Sequence, residues 1–341
     1  MMKKRAMRIL EIAAVTVGAF SLTRLALRKM AQYDFVDKVV LITGGFRGLG
    51  LVLAREFARQ GARVVICARD EEKIERARID LQRLGAQVLA LKCDVTIRSE
   101  VAEMISVIHD HYGKIDVLVN NAGVIQVGPL EVMTQEDFAQ AINTHFWAPL
   151  HCILAVLPEM RKRKEGRIVN ISSIGGKIGV PHLVPYSASK FALVGLSEGL
   201  GAELRKDGVR ITTVCPGLMR TGSPRNADFK GRHRAEYAWF SISDALPLAS
   251  ISAKRAARQI TLACKRGQAS LVISFPAKVA VFFNGAFPEL TADLLAQVNK
   301  FLPEPGGIGT RRAKGKDSAS QLSPSWITSL NERAAAMNNE I

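Results

Sequence analysis

The run Val39-Val40-Leu41-Ile42-Thr43-Gly44-Gly45-Phe46-Arg47-Gly48-Leu49-Gly50 constrains the fold more than any other part of this chain. Its β-branched and apolar residues, without polar alternation, read as a strand buried on both faces. The glycines then permit a tight turn and a close approach of backbone to a bound group. Leu51 to Gln60 continues as a helix, and the N-terminus of a helix favours an anion such as a phosphate. The spacing is G-x-x-x-G-x-G, not the G-x-G-x-x-G of the common dinucleotide fingerprint. Taken alone, the segment also reads as a plain flexible glycine turn.

Strand-like and helix-like segments alternate from Val39 to Cys215. That alternation predicts right-handed crossovers and an α/β fold with a doubly wound parallel β-sheet flanked by helices. Strands are expected at 38–43, 63–68, 87–92, 115–119, 167–172 and 210–214, with a last short one at Ser270 to Ile273. The 341 residues suffice for one large domain with extensions, and 48% hydrophobic residues suffice for its core. Arg69 follows the second strand, where an acid would read the ribose 2′-hydroxyl of NAD. Ala68 and Arg69 offer no carboxylate there, and a guanidinium can bind a 2′-phosphate. Arg47 adds a second cation, so NADP(H) is the preferred cofactor and NAD(H) the alternative. A solvated surface arginine is the bland reading of Arg69.

The chemistry-bearing residues lie further on. Tyr186 and Lys190 are four apart and share one face of a helix. An ammonium beside a phenol stabilises the phenolate and makes the tyrosine a usable acid and base nearer neutral pH. Ser173, thirteen residues before Tyr186, can hydrogen-bond the oxygen of a reacting carbonyl. A lone Y-x-x-x-K arises by chance on ordinary helices; the companion motifs give it weight.

Together these motifs resemble the short-chain dehydrogenase/reductase family, in its single-domain, NADP(H)-preferring branch with a Rossmann-like fold. The resemblance is close over 36–221 and looser to about 303. Thr43 to Gly50 resembles the family's T-G-x-x-x-G-x-G, and Asn120-Asn121-Ala122-Gly123 its N-N-A-G. Asp94-Val95 resembles the acidic site that binds adenine, and Pro216, Gly217 and Thr221 match the P-G-x-x-x-T at the nicotinamide end. Asn143, Ser173, Tyr186 and Lys190 fall where the family keeps a catalytic tetrad. The resemblance implies that Ser173 holds the carbonyl oxygen, Tyr186 donates the proton and Lys190 binds the nicotinamide ribose. Asn143 would hold a water linking Lys190 to solvent. Thr43, Gly44, Arg47, Gly48, Leu49, Gly50, Arg69, Asp94, Val95, Asn121, Ala122, Gly123, Pro216, Gly217 and Thr221 are the expected cofactor contacts, with Tyr186 and Lys190.

Residues 1–33 form a separate segment, 34–303 the catalytic domain and 304–341 a flexible C-terminal tail; a short terminal helix at Ser325 to Met337 is the alternative within it. Ile12 to Thr23 carries no charge and is flanked by Lys3, Lys4, Arg5 and Arg8 before it and Arg24, Arg28 and Lys29 after it. Twelve residues fall short of the roughly 20 of a spanning helix. An N-terminal apolar helix that is a membrane anchor or lies at the membrane interface, with the catalytic domain in the cytoplasm, is the preferred reading; a soluble docked helix is the other.

The net charge of +16, with clusters at 161–164 and 311–314, fits attraction to anionic lipid. No nucleic-acid motif accompanies it, so no nucleic-acid partner is expected. The five cysteines and six histidines show no metal-like spacing, so no metal is expected, and buried free thiols in a reducing compartment are. His182, between Ser173 and Tyr186, reads as a solvated loop residue. Residues 222–250 read as polar loops around Tyr237, Trp239 and Phe240. The expected partner is a small apolar carbonyl or alcohol, and a homo-oligomer is admissible. The competing hypothesis is a catalytically silent NADP-binding structural or sensor protein at the membrane.

Overall fold

Parallel strands set the architecture, the central ones buried on both faces. In order along the chain they are β1 (Val39–Thr43), β2 (Arg63–Ala68), β3 (Val88–Lys92), β4 (Val117–Asn120), β5 (Gly166–Ile171), β6 (Val209–Pro216) and β7 (Ser270–Ile273). They form one seven-stranded sheet in the order β7-β6-β5-β4-β1-β2-β3. All its pairings are parallel; Leu41, for example, stands between Val65 and Leu118. The order reverses beside β1, and the crevice at the carboxyl ends of β1 and β4 is where open parallel sheets bind ligands. The computed structural model describes residues 32–246, 250–320, 323, 325 and 328–341. The expected N-terminal apolar helix and membrane anchor lie outside the described residues. Among the described residues, no helix is long and apolar enough to cross a membrane.

The helices are α1 (Gly48–Arg59), α2 (Glu71–Gln82), α3 (Arg98–Tyr112), α4 (Gln135–Ile142), α5 (Ala148–Arg163), α6 (Val184–Glu203), α7 (His233–Ala245), α8 (Ala253–Lys265), α9 (Phe275–Ala286), α10 (Pro288–Asn299) and α11 (Ser329–Met337). Each crossover returns through a helix, as the alternation predicts. α2 starts on Asp70, whose carboxylate accepts the Lys73 N–H at 3.2 Å. α4 starts on a reciprocal cap between Thr134 and Asp137. α3 ends on Gly113 at φ +77°. Between α4 and α5 the chain passes through one π turn, Asn143–Trp147, instead of breaking.

The main core joins β1, β2, β4, β5 and β6 to α3 and α5 through Leu41, Val65, Leu118, Ile153, Val156 and Ile168 among others. A second apolar cluster, Val127, Leu183, Ala227, Phe229, Tyr237 and Phe240, lies over the carboxyl end of the sheet. The expected polar loops at 222–250 are thus in part a helix, α7, and its buried aromatic face supplies that roof. Edge-on ring contacts of Phe229 with Tyr237 and Phe240 tie it to the domain.

The C-terminal region differs most from the expected tail. Ala313–Lys314 pairs antiparallel with Asp228–Phe229, which in turn pairs with Gln126–Val127. α11 follows, within the span Ser325 to Met337, and Asn338 and Glu340 are buried. Ion pairs from exposed cations to buried carboxylates hold the strand: Arg312 reaches Asp137 at 2.9 Å and Lys314 reaches Asp228 at 2.6 Å. A polar, glycine-rich composition predicts disorder only where the chain finds no partner, and here it finds one.

The charge clusters are also largely paired. Arg161 and Lys164 both meet Asp207, at 2.8 and 3.3 Å, and Arg163 meets Glu159. All five cysteines are free and buried.

Candidate active site

A cleft of about 590 Å³ opens over the carboxyl ends of β1, β2 and β4. Its floor is the glycine turn. Gly44 and Gly48 take φ of +64° and +52°, which residues with a Cβ adopt rarely. A Cβ on Gly50 would lie 2.2 Å from the Gly44 carbonyl oxygen, so the turn closes on itself only with glycine there. Gly44, Arg47, Gly48, Leu49 and Gly50 all line the cleft.

Thr43 sits behind that wall. Its hydroxyl accepts the N–H groups of Asn121 and Ala122 at 3.0 and 3.1 Å, while the Asn121 amide donates to the Thr43 and Gly44 carbonyls. Thr43 is a brace between the turn and the N-N-A-G loop rather than a cleft surface. Asn120 is likewise structural: its amide donates to Asn170, and Asn170 donates to Ser197, each at 2.8 Å.

Arg69 is 69% exposed at the cleft rim, with Nη1 3.7 Å from Asp94 Oδ2. Arg47 lies deeper; burial lowers its guanidinium from the ordinary value, with Glu340 opposing that change and Arg69 adding to it. Lys73 also lines this end, a third cation that sequence reasoning missed. Asp94 and Val95 form the neighbouring wall. Asp94 Oδ1 is already engaged by the N–H and hydroxyl of Thr96 at 3.0 and 2.7 Å, which fixes the loop.

The other end holds Asn143, Ser172, Tyr186 and Lys190. Tyr186 and Lys190 do share a face of α6, with Lys190 Nζ 5.6 Å from the Tyr186 ring centre. Ser173 stands beside the Tyr186 phenol and favours its ionised form. Ser173 ends the β5 turn, its hydroxyl accepting the Gly175 N–H at 3.0 Å. Lys190 is 5% exposed, and Nζ donates to the Ile171 carbonyl at 2.9 Å.

Burial dominates both ionisations. It pushes the Tyr186 phenol up to about 12, opposed by the neighbouring Ser173, and the Lys190 ammonium down to about 7. The expected lowering of the phenol by its lysine is therefore not the resting state of this pair. Desolvation raises the acid and lowers the cation together.

Pro216, Gly217 and Thr221 stand behind the cleft surface. A Cβ on Gly217 would meet Ser274 Oγ at 2.8 Å, and the Thr221 hydroxyl donates to Ser223 Oγ at 2.8 Å. Met219, Ser223 and Asn226–Asp228 line the cleft in that stretch instead.

Sequence reasoning also missed His145. It is fully buried on the π turn, and burial, followed by the charge of Lys190, holds its ring well below the usual histidine value. The ring is therefore neutral. Nε2 accepts the Val124 N–H at 3.1 Å, so Nδ1 carries the proton and donates to Ser189 Oγ at 2.7 Å. Ser189 in turn donates to the Tyr186 carbonyl at 2.7 Å. This line ties the loop after Gly123 to α6; no spacing rule points to it.

His182, expected in solvent, is buried at φ +61°. Nδ1 meets Glu236 at 2.8 Å, and Glu236 also accepts the Trp239 indole N–H at 2.6 Å. These contacts clamp α7 to the turn that precedes α6. Among the described residues no His, Cys, Asp or Glu cluster could hold a metal ion.

The residues present fit a dinucleotide: a glycine cradle at a helix N-terminus, cations at one end, and a Tyr–Lys pair, its lysine buried, at the other. Known proteins agree. The chain matches the short chain dehydrogenase family over residues 38–229. It is 39% identical over 185 residues to the oxidoreductase UcpA of Salmonella typhimurium, covering 54% of this chain and 70% of that protein.

Among solved structures, it is similar to an actinorhodin polyketide ketoreductase with NADPH: TM-score 0.63, 32% identity, 70% of this chain and 95% of the other. A Burkholderia phymatum short chain dehydrogenase/reductase in complex with NAD gives TM-score 0.70 at 26% identity, over 76% and 96% of the two chains. A metagenomic short-chain oxidoreductase in complex with NADP gives 0.58 at 29%, over 71% and 98%. With fold, motifs and profile pointing one way, this chain belongs to the short-chain dehydrogenase family and is an oxidoreductase.

Proposed function

We propose that the chain is an NADP(H)-dependent oxidoreductase that interconverts a carbonyl and a secondary alcohol, with Tyr186 as its acid and base. The observation that carries this reading is the half-buried Tyr186, beside Ser173 and flanked by the buried Lys190, at one end of a cleft whose other end is the glycine turn. The bound nicotinamide supplies or accepts the hydride. Gly44, Arg47, Gly48, Leu49, Gly50, Asn121, Ala122 and Gly123 hold the cofactor, with Asp94 and Val95 beside the adenine. Arg69, Arg47 and Lys73 favour a 2′-phosphate, because charge-assisted bonds to phosphate are the strong ones.

Ser173 orients the substrate oxygen, and Tyr186 gives it a proton in reduction or removes one in oxidation. Lys190 holds the ribose and stabilises the phenolate formed in reduction. Asn143, on the π turn at the cleft wall, serves the proton's return to solvent. Val124, Ile125 and Met219 favour an apolar substrate, which enters past the polar groups Glu136, Gln140, Arg312 and Lys314. The five free, buried thiols suit a reducing compartment, and we place the catalytic unit in the cytoplasm.

The test is a screen of carbonyl and alcohol compounds with both nicotinamide cofactors, run beside Tyr186→Phe. That variant should keep NADPH binding and lose roughly 10²-fold or more of turnover. Near-normal turnover of the variant at saturating NADPH would reject Tyr186 as the acid and base.

A further inference from the structure

The phosphate end of the cleft has an occupant from this chain. Beyond α11, residues 338–341 turn inward onto the glycine turn. The Gly48 N–H donates to the Asn338 carbonyl at 2.9 Å. The Gly222 N–H donates to Glu340 Oε2 at 2.5 Å, and Glu340 Oε1 stands 3.1 Å from where a Cβ on Gly48 would be. The Asn339 amide donates to the carbonyls of Phe46 and Lys73 at 2.9 and 3.1 Å. Arg55 holds the segment's root, donating to the Asn338 side chain at 3.0 Å and to the Met337 carbonyl at 2.9 Å. Glu340 is 8% exposed and forms part of the cleft wall, whereas Ile341 is exposed.

This is a specific seat. A carboxylate and a phosphate ask for the same thing, N–H donors at a helix N-terminus with a cation nearby. Gly48 opens α1, and Arg47 lies next to it. Bound there, the Glu340 carboxyl uses the Gly222 N–H, and the Asn338 carbonyl uses the Gly48 N–H; neither donor is free for another acceptor. A dinucleotide phosphate brought beside Glu340 would meet a like charge in a buried place, which is costly.

We infer that residues 338–341 are an internal competitor of the cofactor, and that the dinucleotide binds only when this segment swings out of the glycine turn. The inference rests on the reading of the cleft as a dinucleotide site. The movement is short. Asn338 and Glu340 both donate backbone N–H groups to Ala335 O, at 3.3 and 3.1 Å, so the segment folds back on the end of α11. Asn339 sits at φ +57°, a conformation that the released chain need not keep. Burial pushes the Glu340 carboxyl up to about 7, against the opposing pull of the Gly222 N–H, Arg47 and Arg225. The seat is thus an imperfect home for the charged form and can be vacated.

The affinity of a ligand whose competent state is only a fraction of the population falls by that fraction. Three proteins test this by NADPH titration, following nicotinamide fluorescence: the full chain, the chain ending at Met337, and full-length Glu340→Ala. The shortened chain should bind NADPH at least tenfold more tightly, and Glu340→Ala should bind severalfold more tightly, with melting temperatures confirming that each is folded. In the unaltered protein, NADPH should speed the removal of the last four residues by carboxypeptidase.

Equal or weaker binding by the shortened chain, or protection of the C-terminus by NADPH, overturns the inference while leaving the cofactor reading intact. Failure of every form to bind either NADPH or NADH overturns both.

Discussion

Replacing Lys190 by methionine should remove catalysis and yet make the unliganded protein more stable. The ammonium is fully buried, and its affinity for a proton falls from 10.5 in the solvated chain to about 7 in the fold. At about 1.4 kcal/mol for each tenfold change, keeping this group folded at pH 7 costs about 4 kcal/mol. Methionine has a similar length and needs no charge. Its loss of the bond to the Ile171 carbonyl, 2.9 Å in the parent, costs about 1–2 kcal/mol. The net gain is about 2 kcal/mol, or about 4–8 °C in melting temperature.

The pH dependence carries the same signature. The folded lysine has the lower proton affinity, so its penalty is fully present below about pH 7 and fades as pH rises towards 10.5. Thermal melts of parent and variant between pH 6 and 10 should therefore converge, then cross. A Lys190→Met protein that melts at or below the parent at pH 7, or a difference that is flat with pH, would refute the reasoning.

Three further substitutions probe the cofactor end and the roof. Arg69→Asp places a carboxylate at the exposed rim beside Asp94; it should move preference from NADPH towards NADH by more than tenfold, since a charge-assisted bond is worth roughly 1.5–3 kcal/mol. Paired titrations with the two cofactors decide it, and an unchanged ratio removes Arg69 from the site. Gly50→Ala should push the glycine turn apart, because the new methyl would overlap the Gly44 carbonyl at 2.2 Å; about 1–3 kcal/mol of stability and at least tenfold in NADPH affinity should go together. Asp137→Ala leaves the buried Lys230 without the carboxylate that meets it at 2.5 Å and frees Arg312. Urea unfolding should show a loss of about 3–5 kcal/mol, and a loss below 1 kcal/mol would mean the pair is solvated.

Local pattern carried the central sheet well. Each of the seven strands lies within two residues of its expected span, because the central ones, buried on both faces, are written as unbroken apolar runs between turn residues, while β3 and β7 at the edges stay partly exposed. The glycine turn and the closeness of Tyr186 to Lys190 were legible for a related reason: both depend on short spacings within one element or one turn. What escaped depends on distant partners. His182 looks like a loop residue until Glu236, far along the chain, arrives to bury it. Arg312 and Lys314 looked like part of a basic tail, yet Asp137 and Asp228 draw them into the domain. The tuning of Tyr186 was misjudged because spacing reveals the neighbouring lysine but not the depth at which both are held. Glu340, near the last residue, offers no sequence signal for a place inside the cofactor cleft.

The π turn at Asn143–Trp147 has a consequence for how this stretch can vary. An α-helix advances 100° per residue, so the extra residue in the wide turn is what lets Asn143 and His145 face the active site while Cys152, Ile153 and Val156 still face the core. Removing one residue between 143 and 147 would let the helix run straight but would rotate everything on one side of it by that angle. Either the site or the core would then be turned towards solvent. Thr144, Phe146 and Trp147 should therefore accept single substitutions while the segment rejects any change of length, a pattern that deletion scanning would reveal as a sharp intolerant window inside an otherwise ordinary pair of helices.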